Sequence, residues 1–469
     1  MALRRTVTAI VLFSGLGMRA QCPTGNVSIT SQADADAYGV NFPNCDTLPG
    51  DLTFSGLDIN DLSPFSGVDV ILGNLTMTGT FPGPSDFTGF DQLNRIGGDL
   101  WVENCARFRG FNGLDNLQRI GGTLHVMYTD SLESFSGLHN VEVVGGNVWA
   151  LMNFNMLGFY GFNSLDSVYG SFEINTQNSP LLTFITVPPD LKYVGGNFHM
   201  SAYYATIITG GNNLDHIGGD LGITGHSLAN ISAFTGLNTL GGDLLVSDAE
   251  ELTSLSGFNQ LDSAGGILVD ANPLLTIISG FPDLDQVDGF LWIDDNPLLT
   301  SLYGFAELDT VGQLVISSNN ALTNIVALDQ TIGYGSLQIN DNPQLAICHV
   351  QSVCDRVLAP IIPIAAIDDN APGCLSEAEV ENQCILIANI LPETAQEFML
   401  YPNPGNGMFI HVRSRDVLRS IELLDQTGKV IAQYGGAVRT LMAPEVAGTY
   451  LVRALHADGH RSVVRMVRY

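Results

Sequence analysis

Basic side chains are nearly missing from most of this chain. Residues 21–400 hold six of them, Arg95, Arg107, Arg109, Arg119, Lys192 and Arg356, against 43 carboxylates. Nucleic acids and anionic membrane surfaces are held by Lys and Arg that neutralise phosphate, so a body this acidic excludes both as partners. Beyond the N-terminus no stretch is long and apolar enough to span a bilayer. Close cysteine pairs are also absent. The distal four, Cys348, Cys354, Cys374 and Cys384, contain no C-x2-C, which argues against zinc.

What is present begins with Arg4 and Arg5, an apolar run over residues 7–16 and a small residue at Ala20. That is the build of a secretory signal peptide over residues 1–20, cleaved before Gln21. Export to an oxidising space fits seven cysteines, six of which read as disulfide candidates. Cys22 and Cys45 bracket a segment at 21–48, and the distal four cluster at 346–390. Both segments read as stapled caps, with three connectivities open to the distal four.

Between the caps, residues 49–345 repeat one pattern. Its clearest copy, residues 289–305, reads GFLWIDDNPLLTSLYGF. Thirteen copies follow one another at 23 to 26 residues, starting near Pro49, Leu72, Gly97 and Gly121 and ending near Val311 and Tyr334. Repetition at one such period means a solenoid, whose coils bury their apolar faces only against one another. Slots two and four after the Gly pair are apolar in every copy, from Leu52 and Phe54 to Leu337 and Ile339. Period two predicts a strand with one buried face, and stacked strands give a parallel sheet. Leu252, Leu255, Phe258 and Leu261 typify a second apolar set on the return path.

The Gly pair marks a corner needing positive φ or close backbone approach. The residue after it, among them Asp51, Asn74, Asp99, Thr123, Asn147 and Asp220, is expected to hydrogen-bond corner backbone. Asn153, Asn272, Asn296, Asn319 and Asn342 form a second column, read as a buried ladder satisfying turn amides. Cys105 falls in that column and reads as a small buried side chain. In the caps, Ser31 with Asp34 predicts a capped helix, another is expected over 349–358, and Ser376 with Glu379 opens a third. Residues 391–400 read as a linker.

The unit GGDLxVxxNxxLxSLxGLxxL resembles the repeats of receptor L-domain and leucine-rich-repeat-like bacterial surface proteins. That resemblance implies a right-handed solenoid. The tail, with nine basic residues against five acids from Tyr401 onward, carries YPNPGNG at 401–407, LLDQTGKVI at 423–431 and AGTYLVRALHADGHRSVVRMVRY at 447–469. These motifs resemble the type IX secretion sorting domain (type A), on Tyr401, Pro402, Asn403, Pro404, Gly407, Gly428, Gly448 and Tyr450. The resemblance implies a small β-sandwich over 401–469 that engages the type IX machinery. The expected fold is therefore mainly β, a parallel solenoid of about 13 coils followed by that sandwich.

Candidate chemistry lies on the strand slot between the two buried ones. This outward row includes Trp101, His125, Trp149, Glu173, His199 and Trp292, with Glu103 beside Trp101. Flat aromatics on a rigid sheet stack sugar rings or clamp a peptide; equally, aromatics on strand faces pack on their neighbours. Asp270, Asp294 and Asp295, at the strand ends, are candidates for Ca²⁺ or for solvated turns. The reading is a secreted or cell-surface, non-enzymatic protein that binds extracellular glycan or protein. A purely structural surface component is the alternative. A third reading, a polysaccharide-active β-helix enzyme, would rest on the carboxylate pair Asp270 and Asp294.

Overall fold

Apolar slots two residues apart turn inward together only when the backbone between them is extended, and in the computed structural model each copy forms a short parallel strand. The structure describes residues 21–79, 83–176, 179–201, 203–331, 335–358, 365–390, 398–401, 409–414, 417–425, 429–436, 438–444, 446, 448–457 and 461–468. Residues 1–20, read as a signal peptide, lie outside them. Strands pair in register from coil to coil, Leu52 with Leu75, Leu75 with Leu100, Leu100 with Leu124, and onward to Leu314 with Leu337. Both inward slots are buried in every coil, and so are Leu252, Leu255, Phe258 and Leu261. The result is a parallel β-solenoid of about 13 turns.

Phenylalanines on the return path stack as the coils do. Phe234, Phe258, Phe281 and Phe305 lie nearly parallel, with centroids 5.9, 5.2 and 5.1 Å apart. Each ring covers the next, so no coil's core is complete without its neighbours.

Two hydrogen-bond ladders run along the stack. At the corner, Asn26 Oδ1 accepts from Asp51 N at 3.0 Å, Asp51 Oδ1 from Asn74 N at 2.8 Å and Asn74 Oδ1 from Asp99 N at 2.7 Å. The series continues to Asp220 Oδ1 and Asp243 N at 2.9 Å. This explains the Gly pair. A Cβ on Gly122 would sit 2.1 Å from Asp99 Oδ1, and its φ is not in the left-handed region. Close approach, not positive φ, is the reason for glycine there. The second ladder is asparagine. Asn272, Asn296, Asn319 and Asn342 are fully buried, and each Oδ1 after the first accepts the backbone N–H of the one before, at 3.0 to 3.3 Å. Their Nδ2 groups donate back to strand carbonyls of Val246, Val269, Ile293 and Ile316. Buried turn amides are thereby satisfied.

The sheet is longer than the repeats. Val27–Ile29 from the first cap pairs with Leu52–Phe54. Beyond residue 345, where the repeats were expected to stop, Ala365–Asp368 adds a further rung against Ser336–Asn340, and Asn370 continues the ladder by accepting from Asn342 N. Cap helices form at Gln32–Asn41, Gln351–Val357 and Glu377–Ile390; Ser31 and Ser376 hydroxyls accept from the N–H groups of Asp34 and Glu379. Disulfides join Cys22 to Cys45 and Cys348 to Cys374, and Cys354 and Cys384 are disulfide-bonded too.

The chain divides into two units, Met1–Val380 and Glu381–Tyr469. In the second, Phe398–Tyr401, Phe409–Ser414 and Thr440–Met442 form one antiparallel sheet. Leu418–Leu424, Val430–Gly435, Gly448–His456 and Arg461–Arg468 form another. Leu400, Ile410 and Leu441 share a core with Ile421, Val452 and Met466. Residues 398–400 thus belong to a sheet, not to a linker. Of the motif residues, Tyr401 ends a strand, Gly448 opens one and Tyr450 Oη donates to Val446 O at 2.8 Å. Pro402, Asn403, Pro404, Gly407 and Gly428 lie outside the described residues.

Candidate functional site

Strand register places the outward row on consecutive rungs: Trp101, His125, Trp149, Glu173, His199, Gly222. Rungs about 4.8 Å apart are little wider than a ring is thick, so neighbouring rings can exclude water by lying on each other. Trp101 and His125 do this, with centroids 3.5 Å apart and planes 11° from parallel. Trp149 meets His125 edge to face at 5.8 Å. The row was read as outward, with ligand stacking and packing on neighbours both open, and His125 is only 4% accessible while Trp101 and Trp149 are half-buried. Cross-strand packing has therefore claimed part of the aromatic surface.

Glu103 sits where it was expected, beside Trp101, and accepts from its Nε1 at 2.9 Å. Burial pulls the His125 imidazole below its ordinary value, with Glu103 and Asp99 opposing. Both His125 nitrogens, Trp149 Nε1 and His199 Nε2 are buried without hydrogen-bond partners. The His199 ring lies over Gly222, where an added Cβ would come within 2.7 Å of it. Half-buried Glu173 separates Trp149 from His199.

At the strand ends Asp270 pairs in register with Asp294, and Asp295 follows in the left-handed region at φ 47°. Burial, then Asp294, Asp295 and Asp248, lifts the Asp270 carboxyl above its ordinary value. Among the described residues no group of three or more His, Cys, Asp or Glu is arranged to hold a metal ion, so these carboxylates form no built calcium site. Cys105 is buried, and its thiol donates to Glu103 O and Met77 O.

A feature the sequence reading passed over lies further along. The outward row continues as Leu245, Leu268, Trp292 and Val315 on four consecutive strands. Trp292 is 41% exposed, the most open indole of the three. Phe290, two residues before it, lays its ring against Gly266. The four row residues were visible as outward slots, but only the structure shows them joined with Phe290 into one apolar strip.

No protein-family model matches the chain, and no curated protein matches it. What the coordinates define is a class: a parallel β-solenoid with a disulfide-stapled cap at each end, joined in sequence to a small antiparallel β-sandwich. No helix among the described residues is long and apolar enough to cross a membrane.

Proposed function

We propose that this is a secreted or cell-surface binding protein, without catalytic activity, that presents the outer face of its solenoid to extracellular glycan or protein. The row from Trp101 to His199 carries the reading. It sets two indoles, two imidazoles and a carboxylate on consecutive rungs of a sheet held in register by the corner ladder, so its geometry is fixed before any ligand arrives. The four buried nitrogens without partners on this row add support, since a buried polar atom left unpaired is one a ligand can satisfy. Disulfides fit an oxidising space outside the cytoplasm. On the resemblance of the tail, residues 401–469 are the address that hands the protein to the type IX secretion machinery.

Two experiments test this. Full-length protein is applied to immobilised extracellular polysaccharides and matrix proteins, beside Gly222→Ala, which displaces the His199 ring at little cost to folding. Saturable binding that weakens in the variant supports the reading; equal binding by both removes this row as the site, and no binding leaves a purely structural surface component as the better account. Deleting residues 401–469 should leave the solenoid in the periplasm. A truncated protein still found at the cell surface would refute the export route.

A further inference from the structure

A solvent-facing sheet row in an antiparallel or solenoid fold is ordinarily polar, because the opposite face already supplies the core. The row departs from that: Trp292 stands 41% exposed beside half-buried Leu268 and Leu245, with Val315 buried against its other side, and apolar surface left open on a protein's face marks a place where something binds. Its surroundings say what. One residue pair further along the same strands, and on the same face, stand Asp270 and Asp294, register partners of each other. Asp295 and Asp248 add their charge at the strand ends.

The apolar strip is therefore edged by carboxylates that repel one another. No Lys or Arg lies between Lys192 and Arg356, so no basic side chain of these coils competes for them. A body carrying six basic residues against 43 acidic also draws cations toward it from a distance.

We infer that this strip docks a cationic amphipathic peptide segment, whose apolar side chains cover Trp292 and Leu268 while its Lys or Arg side chains reach Asp270 and Asp294. A second copy of this solenoid face is disfavoured by charge, since it would set the same carboxylates against each other. A neutral glycan would stack on Trp292 and leave the carboxylates unanswered. The strip is separate from the Trp101 row, so the two sites stand or fall independently.

The test uses the full chain and three synthetic probes: an alternating Lys–Leu peptide, the matching Glu–Leu peptide, and oligolysine. Binding is read by calorimetry at low and at physiological salt. The Lys–Leu peptide should bind saturably, oligolysine at least about tenfold more weakly, and the Glu–Leu peptide not at all. Trp292→Ala and the double variant Asp270→Asn, Asp294→Asn should each weaken Lys–Leu binding about tenfold, one worth of 1.4 kcal/mol in each case. Only the carboxylate variant should flatten the salt dependence. Trp292 is largely open and both aspartates are partly so, which lets the variants fold. The inference is overturned by equal binding of wild type and either variant, by oligolysine matching Lys–Leu, or by concentration-dependent self-association that Trp292→Ala abolishes.

Discussion

Replacing Asn296 with Ala should unlock the solenoid at one rung. The carboxamide is fully buried. Its Nδ2 donates to Val269 O at 2.9 Å and to Asp294 O at 2.7 Å, and its Oδ1 accepts from Asn272 N at 3.2 Å and Asn272 Nδ2 at 3.1 Å. Alanine keeps the backbone and strips every one of these. Asn272 N–H and the Val269 and Asp294 carbonyls lose a partner in or near a dry interior. Asp294 O still accepts from Ala271 N at 3.3 Å, so at about 1 to 3 kcal/mol for each of the other two groups the loss should be about 2 to 6 kcal/mol. Urea denaturation gives the number, and hydrogen exchange should place the new opening in the coils around residues 270 and 295. Asn320→Ala, at an exposed turn position, is the control. Asn296→Asp sharpens the test. It keeps the acceptor and loses the donor at neutral pH, but on protonation it regains one O–H donor, so its defect should shrink in acid. A loss below about 1 kcal/mol for Asn296→Ala would refute the claim that this ladder holds the turns.

The carboxylate strip and the aromatic row should respond to pH with opposite signs. Asp270 has a raised folded-state value, so between the ordinary 3.8 and that value the native state holds more protons than the unfolded chain, and stability falls as pH rises. Asp270→Asn should therefore stabilise at pH 7, with a gain in urea midpoint that disappears as the pH nears 3.8. His125 has a lowered folded-state value, so the unfolded chain binds more protons below 6.5 and the wild type loses stability on acidification. His125→Phe should remove that loss in the same titration, and an unchanged acid limb would show that the ring is not buried as described. Opening the Cys22–Cys45 loop, with its sequence separation of 23, in a Cys22→Ser, Cys45→Ser protein should cost about 3 kcal/mol, seen as early proteolysis before residue 50 while later coils stay protected. Gly122→Ala should destabilise strongly, because its Cβ would meet both Asp99 Oδ1 and the Gly98 backbone, whereas Gly222→Ala meets only a movable ring.

Much of this architecture was legible because a solenoid ties residue type to place. An inward slot that admitted a polar side chain would open the core of two coils at once, so Leu52 and Phe54 predict Leu337 and Ile339 without any structure. The ladders were legible for a related reason. A column of Asp, Asn, Ser and Thr at one corner, or of Asn at one turn, has few uses other than accepting the same N–H in each coil. Ser28 and Ala366, in contrast, occupy the outward row at the two ends of the sheet without any repeat around them, so the extra rungs at Val27–Ile29 and Ala365–Asp368 went unread.

The outward row was legible only as a row. Parity tells which side chains leave the core, but not whether they stand in water or lie on the next rung. That is decided by what the next rung carries, and Trp101 finds a ring at His125 whereas Trp292 finds Leu268 and Val315. The left-handed turn column shows the same limit. Asn104, Tyr128, Met152, Asp248, Ala271 and Asp295 all take positive φ there although none is glycine. Such a conformation costs about 1 kcal/mol or more in a residue with a Cβ, and no side chain of its own explains it. At Ala271 and Asp295 the reason lies one residue later, where Asn272 and Asn296 can reach the strand carbonyls of the coil before only if the chain turns sharply first. The strain and the ladder are thus one device, which makes a further outcome of Asn296→Ala specific: Asp295 should relax out of the left-handed region, and its amide should exchange faster than that of Asp341, whose own ladder residue is intact.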